Sequence, residues 1–213
     1  CALVVFTALL APWIAPYDPS VIDYEAILSP PSLAHWLGTD DLGRDILSRI
    51  VWGTQVSLQV SLIAVSGAIV LGSVVGMISG YAGGWIDDAI MRVIDAMLAF
   101  PTLILALGIV AVLGPTLVNA MIAITIVNIP NFARLVRAQV LSIRHMDFVS
   151  AARGLGASRG KIMFRHIWPS VIGNVLVYGS LTASTALITE SSLSFLGLGA
   201  QPPTPSWGSM LSS

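Results

Sequence analysis

The sequence predicts an all-α, polytopic helical membrane protein, and three observations carry that prediction. The 213 residues are 55% hydrophobic and only 10% charged, whereas soluble domains carry about 25% charged residues. Residues 50–86 and 96–133 contain no Asp, Glu, Lys or Arg, and a bilayer-spanning helix needs about 20 predominantly apolar residues. The charges that remain are segregated. Residues 12–49 hold six acids against two bases, while residues 134–165 hold seven bases against one acid, Asp147. A basic loop between spans belongs on the cytoplasmic face, so this asymmetry sets the orientation. Cys1 is the only cysteine, which leaves no disulfide framework and no thiolate metal site.

Taken in order, the chain reads as one transmembrane domain over residues 1–213. Residues 1–11 are too short to span and read as the outer half of a first span whose start is missing. A signal peptide is the alternative, but no basic leading region supports it. Pro12, Pro16, Pro19, Pro30 and Pro31 then break up an acidic stretch. Residues 12–52 are expected outside, with Thr39 or Asp40 capping an amphipathic helix that carries Leu42, Ile46, Leu47 and Ile50 on one face. The second span is expected over about Val56 to Tyr81. It has a small residue at every fourth position, Ala64, Ala68, Gly72, Gly76 and Gly80. That spacing puts them on one face and predicts a close helix–helix packing seam.

Ala82 to Met91, with Gly83-Gly84 and Asp87-Asp88, are expected to form a short turn. The uncharged run 96–133 is too long for one span at about 1.5 Å per residue. Gly114-Pro115 splits it into a hairpin of spans three and four, with Pro101 and Pro130 placed to kink them. Residues 142–168 form the cytoplasmic loop. The fifth span runs from about Pro169 to Thr189, and residues 191–213 return to the outside. Asn174, Tyr178, Ser180, Thr182, Ser184 and Thr185 make the fifth span more polar than a lipid-facing helix tolerates cheaply. Asn174, Tyr178, Ser180 and Ser184 are therefore candidates to line a translocation path. Hydrogen bonding between helices is the alternative.

Within the basic loop, Asp147 to Pro169 has the grammar of a helix–turn–helix. Asp147 can cap a short helix over Phe148 to Leu155. Gly156 sits where a left-handed glycine ends a helix. Ser158 can cap a second helix, and Pro169 is suited to the first turn of the next span. This segment resembles the "EAA" loop of ATP-binding-cassette importer permeases. Ala151, Ala152, Gly156 and Pro169 match its spacing, with Ser150 in place of the Glu, His166 of the Ile and Trp168 of the Leu. The plain alternative is a basic loop that only obeys the positive-inside rule.

Two further stretches narrow the resemblance. Gly38, Thr39, Asp40, Leu42, Gly43, Arg44, Asp45, Ser48 and Arg49 match the G-T-D-x-L-G-R-D-x-x-S-R signature of the dipeptide, oligopeptide and nickel branch. The same branch carries a sequence similar to Ser192–Gly199, SLSFLGLG, before its last span. The resemblance covers about residues 35–210. It implies the type I importer permease fold, a six-span core with the last span missing and the first truncated here.

It also implies an inner-membrane location, a second homologous permease, two ATPase subunits and an extracytoplasmic binding protein that delivers peptides or nickel. The ATPase-coupling loop would contain Ser150, Ala151, Ala152, Gly156, Ser158 and Pro169. ATP hydrolysis would belong to the partners, so the chain itself would be no enzyme and would need no cofactor. A secondary transporter or channel subunit is the rival, and a membrane scaffold with a basic docking loop is a third class. Either transport rival would usually show mid-membrane ionisable groups or repeated broken helices.

Several patterns carry no chemistry. Gly154–Lys161 lacks the first Gly and the Ser or Thr of a phosphate loop, and no strand precedes it. Gly156–Gly160 fits G-x-S-x-G literally, but in a helical context, not at a strand–helix elbow. His35, His145 and His166 lack partners at metal-ligand spacing. Asp95 and Glu190 lie near predicted span ends, where snorkelling or capping accounts for them, with a functional carboxylate as the alternative. Nucleic-acid binding has no support in the pattern.

Overall fold

The computed structural model describes Ala2 to Ser212; Cys1 and Ser213 lie outside the described residues, so the lone thiol has no structural account. Among the described residues the regular structure is helical with no strand, apart from an isolated bridge between Thr39 and Asp45, and residues 15–45 are irregular. The helices are α1 (Ala2–Leu9), α2 (Ala11–Ile14), α3 (Ile46–Ala82), α4 (Gly84–Leu98), α5 (Thr102–Leu113) and α6 (Leu117–Ile143). They continue with α7 (Asp147–Gly154), α8 (Arg159–Ile162), a π-helical turn (Met163–Ile167), α9 (Trp168–Phe195) and α10 (Trp207–Met210). Three helical runs, Ile46–Ala82, Leu117–Ile143 and Arg159–Phe195, are long and apolar enough to cross a membrane.

Four expectations need correction. The stretch around Thr39 and Asp40 is not an amphipathic helix. Asp45 caps α3 instead, accepting the Ser48 N–H at 2.8 Å and its hydroxyl at 2.7 Å. Asp40 is occupied elsewhere: it accepts the N–H groups of Leu42 and Arg44 and the Arg44 guanidinium. Burial pushes its carboxyl up, but the Arg44 and Leu42 N–H groups and then the Arg44 side chain outweigh this and hold it below the usual aspartate range.

Secondly, Ala82–Met91 is no turn. Only Gly83 interrupts the chain before the 15-residue α4. Thirdly, span three does not stay within residues 96–133, because the kink expected at Pro101 is a sharp break that joins α5 to α4. α4 and α5 meet at 93° across the break that contains Pro101, and α5 alone, at 12 residues, is shorter than a bilayer requires. Fourthly, Pro169 does not open its span. Helix runs without a break from Arg159 through Pro169 to Phe195. The π-helical turn immediately before it widens the backbone where a proline ring would collide with the carbonyl four residues earlier.

The chain gathers into two compact units. One holds Cys1–Ile63, Leu107–Ala123 and Thr185–Ser213; the other holds Ala64–Ala106 and Ile124–Ser184. In the first, Gly114-Pro115 turns α5 into α6 as the sequence predicts, and the Asn119 side-chain amide donates to the carbonyls of Leu113 and Gly114. α10 lies against the start of α3, where the Trp207 indole donates to the Ile50 carbonyl at 3.4 Å and a Cβ on Gly53 would stand 3.3 Å from the Trp207 ring.

The second unit is built on backbone proximity. Along α3, Ala64 and Ala68 are fully buried. A Cβ on Gly72 would lie 2.6 Å from the Phe132 Cβ and 2.8 Å from the Ile129 carbonyl. On Gly76 it would lie 2.4 Å from the Ala133 carbonyl, and on Gly80 2.9 Å from the Val140 Cβ. The four-residue spacing therefore meets α6 turn by turn, each glycine lying against a backbone carbonyl and a Cβ of α6. Thr125 of α6 adds a hydroxyl donated to the Ala64 carbonyl at 3.1 Å. Gly76→Leu is expected to destabilise the chain by more than the ordinary overpacking cost of about 1–3 kcal/mol, because backbone and not a movable side chain is in the way. Gly108→Leu, where a Cβ meets nothing within 4 Å, is the control. Thermal unfolding in detergent should show a large loss for the first and none for the second.

Candidate functional site

The basic segment is held in place by its own arginines. Arg137 of α6 makes a bidentate pair with Asp87 of α4, Nε to Oδ1 and Nη2 to Oδ2, both at 2.6 Å. Asp87 is buried, and the Ser79 hydroxyl also donates to it. Arg134 pairs with Asp95, but both are exposed, so this pair is worth little. Arg144 donates to the Gly80 carbonyl at 2.9 Å. It thereby satisfies one of the orphan carbonyls at the C-terminal end of α3 and places a cation where the helix dipole favours it. Arg153 stands 5.9 Å above the Tyr81 ring, within cation–π range. Four of the seven clustered bases thus tie α6 and α7 to α3 and α4.

α7 follows at once. Its first residue is Asp147, but the capping position is Met146 and no side chain caps it, so the expected Asp147 cap is not made. Negative charge in the first turn still favours the helix electrostatically. Val149 and Ala152 are buried, whereas Ser150 and Ala151 face outward. The helix ends in a Schellman turn: Ala157 N–H donates to the Ala152 carbonyl at 3.1 Å and Gly156 N–H to the Arg153 carbonyl at 3.0 Å. Gly156 adopts φ +78°, and nothing lies within 4 Å of a Cβ built there. A side chain there would be strained by the backbone alone, not by a collision. Ser158 then caps α8, its hydroxyl accepting the Lys161 N–H at 3.4 Å.

The segment leaves both apolar and cationic side chains exposed. Leu155 is 89% exposed and Phe164 59%, and Arg159, Lys161 and Arg165 are exposed as well. Ser150, Ala151, Ala152, Gly156 and Ser158 lie together in α7 and its turn. Pro169 is set apart from them, in the helix that follows.

The polar residues of α9 divide. Asn174, Ser180 and Ser184 are exposed along one side of the helix. Asn174 donates to the Gln139 side chain at 3.2 Å, and the Ser180 hydroxyl returns to its own helix at the Val177 carbonyl. Tyr178 is half-buried with its ring edge-on to Phe132 at 5.2 Å. Thr182 is buried, and its hydroxyl donates to the Tyr178 carbonyl. Leu176, Val177, Leu181 and Ile188 share the exposed surface with the serines, so that surface is half polar and half apolar.

Sequence reasoning missed Asp87, because its partner is 50 positions away and no local pattern marks the pair. It also misplaced Glu190. That residue lies inside α9 and is fully buried, so neither snorkelling nor a cap describes it. Asp87→Ala should remove the bidentate pair at a cost of about 1.5–3 kcal/mol for charged hydrogen bonds. Faster tryptic cleavage at Arg153 and Arg159, together with a lowered Tm, would show it.

The family model for the binding-protein-dependent transport system inner membrane component matches residues 72–213. The chain is 48% identical over 208 residues to the dipeptide transport system permease protein DppC of Alkalihalophilus pseudofirmus, covering 98% of this chain and 68% of that protein. It is 43% identical over 210 residues to the glutathione transport system permease protein GsiD of Pectobacterium atrosepticum, covering 98% and 70%. Among solved structures, the inward-facing MetNI methionine ABC transporter aligns with a TM-score of 0.63 at 19% identity, over 78% of this chain and 86% of that one. At that identity the likeness bears on the fold.

Proposed function

The chain belongs to the family of inner-membrane components of binding-protein-dependent transport systems, and as such a multi-pass importer permease we propose that it carries short peptides and couples to ATPase subunits through α7. The cargo reading rests on relatives named for dipeptide and glutathione transport at 43–48% identity over nearly the whole chain. The observation that carries the coupling reading is the outward tip of α7 and its turn, Leu155 beside Ser150 and Ala151.

In this reading the basic segment faces the cytoplasm and α7 sits in a groove of an ATPase subunit. Closure of two ATPases around ATP pulls on α7. The Arg137–Asp87 and Arg144–Gly80 contacts pass that pull to α3, α4 and α6. A second, similar permease completes the path, an extracytoplasmic binding protein delivers the cargo, and the exposed side of α9 with Asn174, Ser180 and Ser184 lines the route. Tyr178 shapes that side through its contact with Phe132 and does not stand free in it. The Ala64–Gly80 seam keeps α3 and α6 moving as one body. Ser150 stands where the EAA motif has Glu, which leaves Asp147 as the acid of α7.

Gly156→Val tests the coupling role. The left-handed backbone would be strained by about 1–3 kcal/mol, with open space around the new side chain, so expression and insertion should stay near normal. Peptide uptake in proteoliposomes containing the whole complex should fall at least tenfold, and ATP hydrolysis should stop responding to peptide-loaded binding protein. Wild-type uptake with normal ATPase stimulation would refute the role of this turn.

A further inference from the structure

The two motifs that the coupling loop does not use come together elsewhere, within a single compact unit. Arg44 and Arg49 belong to the stretch Gly38–Arg49, and Ser194 to Ser192–Gly199; with Thr204 and Ser209 they line one cavity of about 240 Å³. None of its described lining residues is acidic, and its two arginines are almost fully buried.

The arginines are short of acceptors. Asp40 Oδ2 serves both, at 2.8 Å from Arg44 Nε and 3.4 Å from Arg49 Nε. Arg44 also reaches the exposed Asp41 at 3.6 Å. Arg49 Nη1 is buried and has no hydrogen-bond partner. A guanidinium cannot shed its proton to relieve this, and a buried charged donor without an acceptor is strongly disfavoured. Glu190 does not answer it through the contacts it makes: its Oε1 accepts the Ser194 hydroxyl at 2.7 Å, while its Oε2 has no partner either. A single bridging water needs only about 10–15 Å³, far less than the cavity provides.

We propose that this cavity is a carboxylate-binding site in which Arg49, supported by Arg44, grips the two oxygens of an incoming carboxylate. The planar fork of a guanidinium matches a carboxylate bidentately, and the Thr204 hydroxyl on the same wall supplies a further donor. The charge asymmetry of the sequence puts this unit's loops on the outer side. Two sources present a carboxylate there: the C-terminus of a peptide in transit, which rests on the peptide reading above, and an Asp or Glu side chain of the binding protein.

The test uses the full-length permease in its whole complex, in nanodiscs, with sodium acetate as the probe against sodium chloride at equal ionic strength. Acetate should raise the Tm of the wild-type complex by several degrees, and Arg49→Gln should abolish the rise. Because Arg49→Gln also loosens the Asp40 contact, Thr204→Glu is the second variant. It tethers a carboxylate at the wall, and should raise the Tm in chloride and remove the acetate response. If the source is the peptide, the free-acid dipeptide should reproduce the rise and its C-terminal amide should not. If the source is the binding protein, acetate should instead weaken its association with the complex about tenfold. An acetate response with no peptide response leaves the site standing and removes the peptide as its source. Equal Tm values in acetate and chloride for the wild type, a full response retained in Arg49→Gln, or a water-bridged Arg49–Glu190 contact with no anion bound at saturating acetate would each overturn the site.

Discussion

The close approach of the α3 and α6 backbones is the constraint on which the basic segment depends. Lipid supplies no hydrophobic force to hold two apolar helices together, so contact has to come from packing at short range. Gly72, Gly76 and Gly80 give up their side chains for that contact. Once α6 lies this near, its arginines are in reach of groups that the sequence sets far away. Arg137 meets Asp87 and Arg144 meets the Gly80 carbonyl at the end of the same seam. A bulkier seam would lengthen both contacts and free the loop they hold.

The bases of this segment consequently do two jobs. Their number gives the orientation that the positive-inside rule reads. Their individual contacts make a firm base for α7, which then exposes Leu155 and Ala151 while burying Val149 and Ala152. A loop that only set topology would need the first property and not the second. The relatives that transport dipeptides and glutathione place the chain among importers and leave the channel and secondary-transporter readings without support.

Much of this was legible in the sequence, and the failures share a cause. The Gly114-Pro115 hairpin, the left-handed Gly156 and the Ser158 cap depend on neighbours within a few residues, and the seam is marked by a local spacing although its partner α6 is distant in the chain. The start of α3 is not settled locally. Thr39, Asp40 and Asp45 are all able to cap, and the choice falls to Asp45 because Asp40 is drawn to Arg44 and Arg49. α4 was hidden by Gly83-Gly84, read as a turn, although its Asp87 and Asp95 are held by partners in α6. Pro169 obeyed the rule for a helix start, but a π-helical turn absorbs it in mid-helix. Glu190 looked like a residue at a span boundary because α9 runs past it to Phe195, where Ser194 donates to it and in turn accepts the Ala200 N–H from beyond the helix.

The account stands or falls on whether the outward tip of α7 is the surface an ATPase subunit holds. In the whole complex, a cysteine introduced at Leu155 in a background lacking Cys1 can be tested with a short bifunctional thiol reagent against a cysteine lining the groove of the ATPase. The account predicts an efficient cross-link from Leu155 that changes with the nucleotide state, and none from a cysteine at Leu33, which is 98% exposed in the acidic loop. Failure of Leu155 to cross-link in any nucleotide state, in a complex that still transports, would contradict it.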